Sequence, residues 1–156
     1  MQSVNGGRLI DERIATLRNR FNWDREGNRY LDTNVIEIWK KSSGIRIDQP
    51  RSDDEKLLAE IYREQLLTIL FRFKTAFNSS AAPWMFPSSS KLVCAGGCTR
   101  IGGFLPILAN LIREIELPIE LSEIQVCPPD QFRSTRGALI QMELDRLTEL
   151  TVAVAG

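Results

Sequence analysis

The residues best suited to chemistry sit in one run, Leu92-Val93-Cys94-Ala95-Gly96-Gly97-Cys98-Thr99-Arg100-Ile101-Gly102-Gly103-Phe104. An apolar strand-like segment turns through two glycines into what the pattern predicts to be the start of a helix. Glycine has no Cβ to hold a ligand off the main chain and accepts positive φ. A helix start offers free N–H groups and a positive dipole end, worth roughly 0.3–1 kcal/mol to a neighbouring anion. Arg100 adds a planar cation able to stack on an aromatic ring such as adenine. The same residues also fit a turn built only for tight packing, with Arg100 a solvated helix-start arginine. Histidine is absent from all 156 residues. That excludes a Ser-His-Asp triad, a Cys-His pair, a histidine metal cluster and a histidine base within this chain.

The remaining composition narrows the partners. Twenty Lys plus Arg balance twenty Asp plus Glu, so no strong overall field draws the chain to nucleic acid or an anionic membrane. The three cysteines, Cys94, Cys98 and Cys127, are too few for a structural zinc site, and two lie in apolar runs, as buried thiols do in a reducing compartment. The N-terminus lacks the apolar core of a signal peptide, and no apolar run reaches the roughly 20 residues of a membrane span. A cytoplasmic protein is expected.

The elements that must position the glycine turn divide the chain in two. Residues 1–80 read as a mainly helical subdomain. Apolar positions Leu9, Ile10, Ile14, Leu17 and Phe21 predict a helix over 8–21. A polar break follows over 22–32, then a short helix over 34–41. Ser52-Asp53-Asp54-Glu55 is a helix start with Ser52 as N-cap and Glu55 at the capping-box position, and its stripe runs to about Phe77. The Ser-, Ala- and Pro-rich stretch over 78–90 is the expected boundary. Residues 81–156 read as an α/β subdomain: a strand over 91–95, a helix carrying Phe104, Leu105, Leu108, Leu111, Ile112 and Ile115, a strand over 123–127, and a helix over about 132–150. Strand, helix, strand in these lengths predicts parallel strands with a right-handed crossover. Ligands of open α/β sheets lie beyond the carboxyl ends of such strands, where the Gly96-Gly97 turn falls.

Val93 to Ile101, VCAGGCTRI, resembles the adenosine motif of DnaK-type heat-shock chaperones, an apolar strand followed by Gly-Gly-Ser-Thr-Arg-Ile-Pro. Cys98 stands where that motif has Ser and Gly102 where it has Pro. Val126-Cys127-Pro128-Pro129-Asp130, followed by Arg136-Gly137-Ala138, resembles the same family's next block. Gly6-Gly7-Arg8-Leu9-Ile10-Asp11 is similar to the segment after the second phosphate motif in chaperones and filament-forming relatives. Arg72-Phe73-Lys74 with Ser79-Ser80 resembles the helix that presents Lys and Ser to adenosine, although Phe71 occupies the position of its glutamate. The resemblance implies a ribonuclease-H-like half-domain, the second lobe of the actin, sugar-kinase and chaperone ATPases. It implies that Gly96 and Gly97 approach the ribose and α-phosphate, with Cys98 in place of a small hydroxyl. Arg100 would stack on adenine, Asp130 would sit beside the nucleoside, where it also reads as a helix N-cap, and Lys74 would reach the ribose, where it also reads as a plain surface lysine.

That superfamily closes two lobes over ATP and Mg²⁺ with an Asp-Gly-Thr loop and an Asp-Gly-Gly-Gly-Thr-type loop, and neither occurs in this sequence. The expectation is therefore an ATP- or ADP-binding half, its Mg²⁺ supplied through the missing lobe, with no ATPase activity alone and no catalytic residues or metal ligands of its own. The competing expectation is a catalytically dead scaffold on the same fold, binding a protein partner or a second copy through the lobe face left open. A sugar- or acetate-kinase remnant fits less well, because Thr99-Arg100-Ile101 after Gly-Gly is chaperone-like.

Overall fold

The computed structural model describes residues 6–42, 44–80, 89–128 and 139–143. Asp130 and the Arg136-Gly137-Ala138 block lie outside them. The fold is mixed α/β. In chain order it runs α1 (Gly7–Leu17), β1 (Phe21–Trp23), β2 (Arg29–Leu31), α2 (Thr33–Lys41), α3 (Asp53–Ser80), β3 (Ser90–Cys94), a four-residue 3-10 helix (Gly97–Arg100), α4 (Phe104–Ile115) and β4 (Leu121–Val126).

Helix α1 buries Ile10, Ile14 and Ala15 and stops four residues short of the expected end. Asn19 takes φ 51°, a left-handed conformation that asparagine tolerates, and turns the chain into a hairpin. In the hairpin β1 and β2 pair antiparallel, Phe21 opposite Leu31. The Asp24 carboxylate closes its turn by accepting N–H bonds from Glu26 at 2.9 Å and Asn28 at 2.7 Å, and Gly27 supplies φ +84°. Arg29 lies 3.5 Å from the centre of the Phe21 ring. The polar break expected over 22–32 is therefore ordered structure. Its three-residue strands are too short to show a period of two.

The α3 start forms as its residues predict. Ser52 Oγ accepts from Glu55 N at 3.2 Å, and Glu55 Oε2 accepts in return from Arg51 N at 2.8 Å. The buried stripe Leu58, Ile61, Tyr62, Leu66, Leu70 and Phe77 faces α1 and α4. Strands β3 and β4 are parallel neighbours joined through α4, with Leu92 opposite Ile124 and Cys94 opposite Val126. Those four side chains pack toward the core, whereas Lys91 and Val93 are exposed. Lys91 pairs with Glu123 at 2.9 Å on the outer side.

One buried cluster draws on both sides of the 80/81 boundary, joining Ile10, Ile14 and Leu58 to Phe104, Leu108, Leu111 and Ile115. The two halves share a core, and the glycine turn lies against their junction. No helix among the described residues is long and apolar enough to cross a membrane.

Candidate functional site

Beyond Cys94 the chain leaves β3 through Ala95 and Gly96. Gly96 has φ +115°, a conformation that side-chain-bearing residues rarely adopt. The single 3-10 turn over Gly97–Arg100 is pinned by Thr99, whose hydroxyl donates to the Gly96 carbonyl at 2.8 Å. The α-helix begins only at Phe104, after Gly103 at φ +83°. This corrects the expectation that Gly96-Gly97 open onto an α-helix start. A lone 3-10 turn sums too few peptide dipoles to act as a macrodipole, so any ligand there meets bare main chain and side-chain charge instead.

Around the two glycine pairs the surroundings differ. A Cβ built on Gly96 or Gly97 meets no atom within 4 Å. On Gly102 it would stand 2.7 Å from the Ile45 carbonyl oxygen, and on Gly103 it would overlap Asp48 Oδ1 and stand 2.6 Å from Asp48 N. The segment after α2 is the cause, because Ile47 N donates to the Gly102 carbonyl at 2.9 Å in a short parallel bridge. An Arg46–Asp48 ion pair at 2.8 Å braces that segment and holds the Asp48 carboxyl below its usual range.

The open pair borders a cleft of about 1020 Å³. Gly97, Cys98 and Arg100 form one part of its lining, Lys40, Lys41 and Arg46 another, and Gly7, Arg8, Asp11 and Tyr62 come from α1 and α3. Among the lining residues five cations meet two carboxylates, Asp11 and Glu37. Four of the five have an acidic partner: Arg8 with Glu12, Lys40 with Asp11, Lys41 with Glu37 and Arg46 with Asp48. Arg100 is exposed and has none among the described residues.

Asp11 is 6% exposed and lies against the Lys40 ammonium, itself largely buried. Burial raises the Asp11 carboxyl above its ordinary value, and the hydrogen bond and charge of Lys40 pull against that rise. Burial also pushes the Tyr62 hydroxyl and the Cys98 thiol up, and the two are hydrogen-bond partners. Cys98 is therefore a protonated thiol at neutral pH and a poor nucleophile. Its Sγ lies 3.1 Å from where a Cβ on Gly7 would be, so Gly7 makes room for it.

The structure thus brings Gly97, Cys98 and Arg100 to the cleft and leaves Gly96 open beside them. Lys74 is committed elsewhere: its Nζ donates to the Ile115 carbonyl at 2.7 Å, satisfying an orphan acceptor at the end of α4. Lys40, Lys41, Arg46 and Tyr62 were not singled out in the sequence. In sequence Lys40 and Lys41 only close the short helix over 34–41, and the fold brings them to the cleft beside the turn. Among the described residues no group of three or more His, Cys, Asp or Glu could hold a metal ion. No protein-family model, curated protein or solved structure matches the chain.

Proposed function

We propose that the chain is the adenine-nucleotide-binding half of a chaperone-like or actin-like ATPase, with a ribonuclease-H-like second-lobe fold, acting in the cytoplasm. The observation that carries this reading is the Gly96-Gly97 main chain standing free at the edge of a basic cleft, with Arg100 unpaired among the described residues. Its residues suit the parts of such a ligand. Backbone without Cβ admits a sugar and phosphate closely, an Arg plane covers a base at roughly 0.5–2 kcal/mol, and an excess of cations balances phosphate charge. When bound, the nucleotide supplies the phosphoanhydride whose hydrolysis drives relatives of this kind. This chain's part is to bind and orient it.

Hydrolysis needs charge placed around the γ-phosphate and its metal. The cleft has cations for phosphate, but the sequence carries neither of the phosphate loops that place this charge and its metal in such ATPases. The purified chain should therefore bind ADP or ATP with a Kd around millimolar, about −4 kcal/mol, and turn over no ATP. Isothermal titration with both nucleotides beside a phosphate-release assay tests this. Steady ATP turnover lost in Gly97→Val would contradict the incomplete-site reading, and no binding of either nucleotide would contradict the whole assignment.

The scaffold reading has one observation in its favour. The outer face of β3–β4 exposes Val93, and each strand has an unpaired edge among the described residues. Parallel strands are normally covered on both faces. Concentration-dependent self-association with no response to nucleotide would favour that reading.

A further inference from the structure

Resting on the nucleotide reading above, we propose that Lys41 and Arg46, with Arg8 beside them in the cleft lining, form the phosphate end of the site, so that it selects a nucleoside di- or triphosphate over a nucleoside. The cleft, at about 1020 Å³, lies at the upper end of small-molecule pockets and leaves room beyond a base and ribose. These three cations come from α1, the end of α2 and the segment that braces Gly102, and all three line the one cleft. Arg8 and Lys41 are each held by a single carboxylate in a solvent-facing pair, with side chains 88% and 72% exposed. Pairs of this kind are screened by water and exchange partners at little cost, so these two cations can turn to a phosphate without breaking the core. Arg46 instead holds Asp48, whose side chain is 13% exposed, through two of its N–H donors and can meet a phosphate with the others. Lys40 is different, because its buried contact with Asp11 leaves it committed to the floor. Arginine offers phosphate two parallel N–H donors, and lysine offers a compact charge.

The test is titration calorimetry of the full chain with adenosine, ADP and inorganic pyrophosphate at low and raised salt. ADP should bind at least about tenfold more tightly than adenosine, and raised salt should narrow the gap. Lys41→Ala/Arg46→Ala should bring ADP to the adenosine level while adenosine affinity stays as it was, and Lys41→Arg should keep the gap. Circular dichroism establishes that each variant is folded. Because Arg46 also braces Asp48, Lys41→Ala/Arg8→Ala provides a second route, in which both altered side chains are exposed. Equal affinity for adenosine and ADP in the parent overturns this proposal and leaves the nucleoside reading standing, as does a gap that survives both double variants. Failure of adenosine and ADP alike overturns the nucleotide reading itself.

Discussion

Four residues separate two glycine pairs that share one turn and do opposite things. Gly102-Gly103 is closed: the backbone of 45–48 and the Asp48 carboxylate lie where their side chains would be, and the pair lets the two segments touch. Gly96-Gly97 is open: nothing within 4 Å would meet a Cβ there, so packing does not account for both glycines. Conformation accounts for Gly96, whose φ of +115° suits glycine whatever its surroundings. Gly97 has neither excuse, since its φ is ordinary and its space is empty. A glycine that neither fold nor backbone demands, beside a basic cleft, is the residue to test for a ligand.

The contrast predicts effects of very different size. Gly103→Val should be the most damaging change, costing roughly 2–4 kcal/mol by urea denaturation, because it joins a left-handed backbone to a clash with Asp48. A cost near zero would mean that the 45–48 segment does not pack there. Lys40→Met, under the open pair, should cost about 2 kcal/mol at neutral pH, less than for a fully dry pair because the cleft admits water. Its pH dependence is distinctive. Asp11 has a folded pKa raised by burial, and losing Lys40 raises it further. The deficit should therefore grow as pH rises through that folded value and vanish below the ordinary 3.8, where Asp11 is protonated folded or unfolded. A deficit that instead deepened on acidification would contradict this account of the pair. Smallest of all, Gly97→Ala should leave stability within about 0.5 kcal/mol of the parent. A loss of several kcal/mol would place Gly97 with the closed pair.

Local signals carried much of this structure and non-local contacts carried the rest. The Ser52–Glu55 cap and the parallel β3–β4 pair follow from neighbours in sequence, and both form as expected. The hairpin over 21–31 escaped because three-residue strands have no readable period, although Asp24 and Gly27 are turn residues of the ordinary kind. By resemblance Gly102 only stands where the chaperone motif has Pro. Its structural reason, an Ile45 carbonyl 2.7 Å from its would-be Cβ, depends on a segment more than fifty residues earlier. The cleft escaped for the same reason, since α1, α2, α3 and the 3-10 turn each supply only part of it. Lys74 shows how a contact distant in sequence adds a role: the resemblance offers it to a ribose and the helix face reads as plain surface, while in the fold it donates to the Ile115 carbonyl.

The most direct measurement compares thermal unfolding of the parent and Gly97→Val with and without ADP at about ten times the expected Kd. The account predicts matching melting temperatures without nucleotide. It predicts a rise of about 3–5 °C for the parent alone when ADP is added, from roughly 1.4 kcal/mol of linkage. Equal rises in both proteins, or none in the parent, would contradict the claim that a nucleotide rests on the bare main chain at Gly96-Gly97.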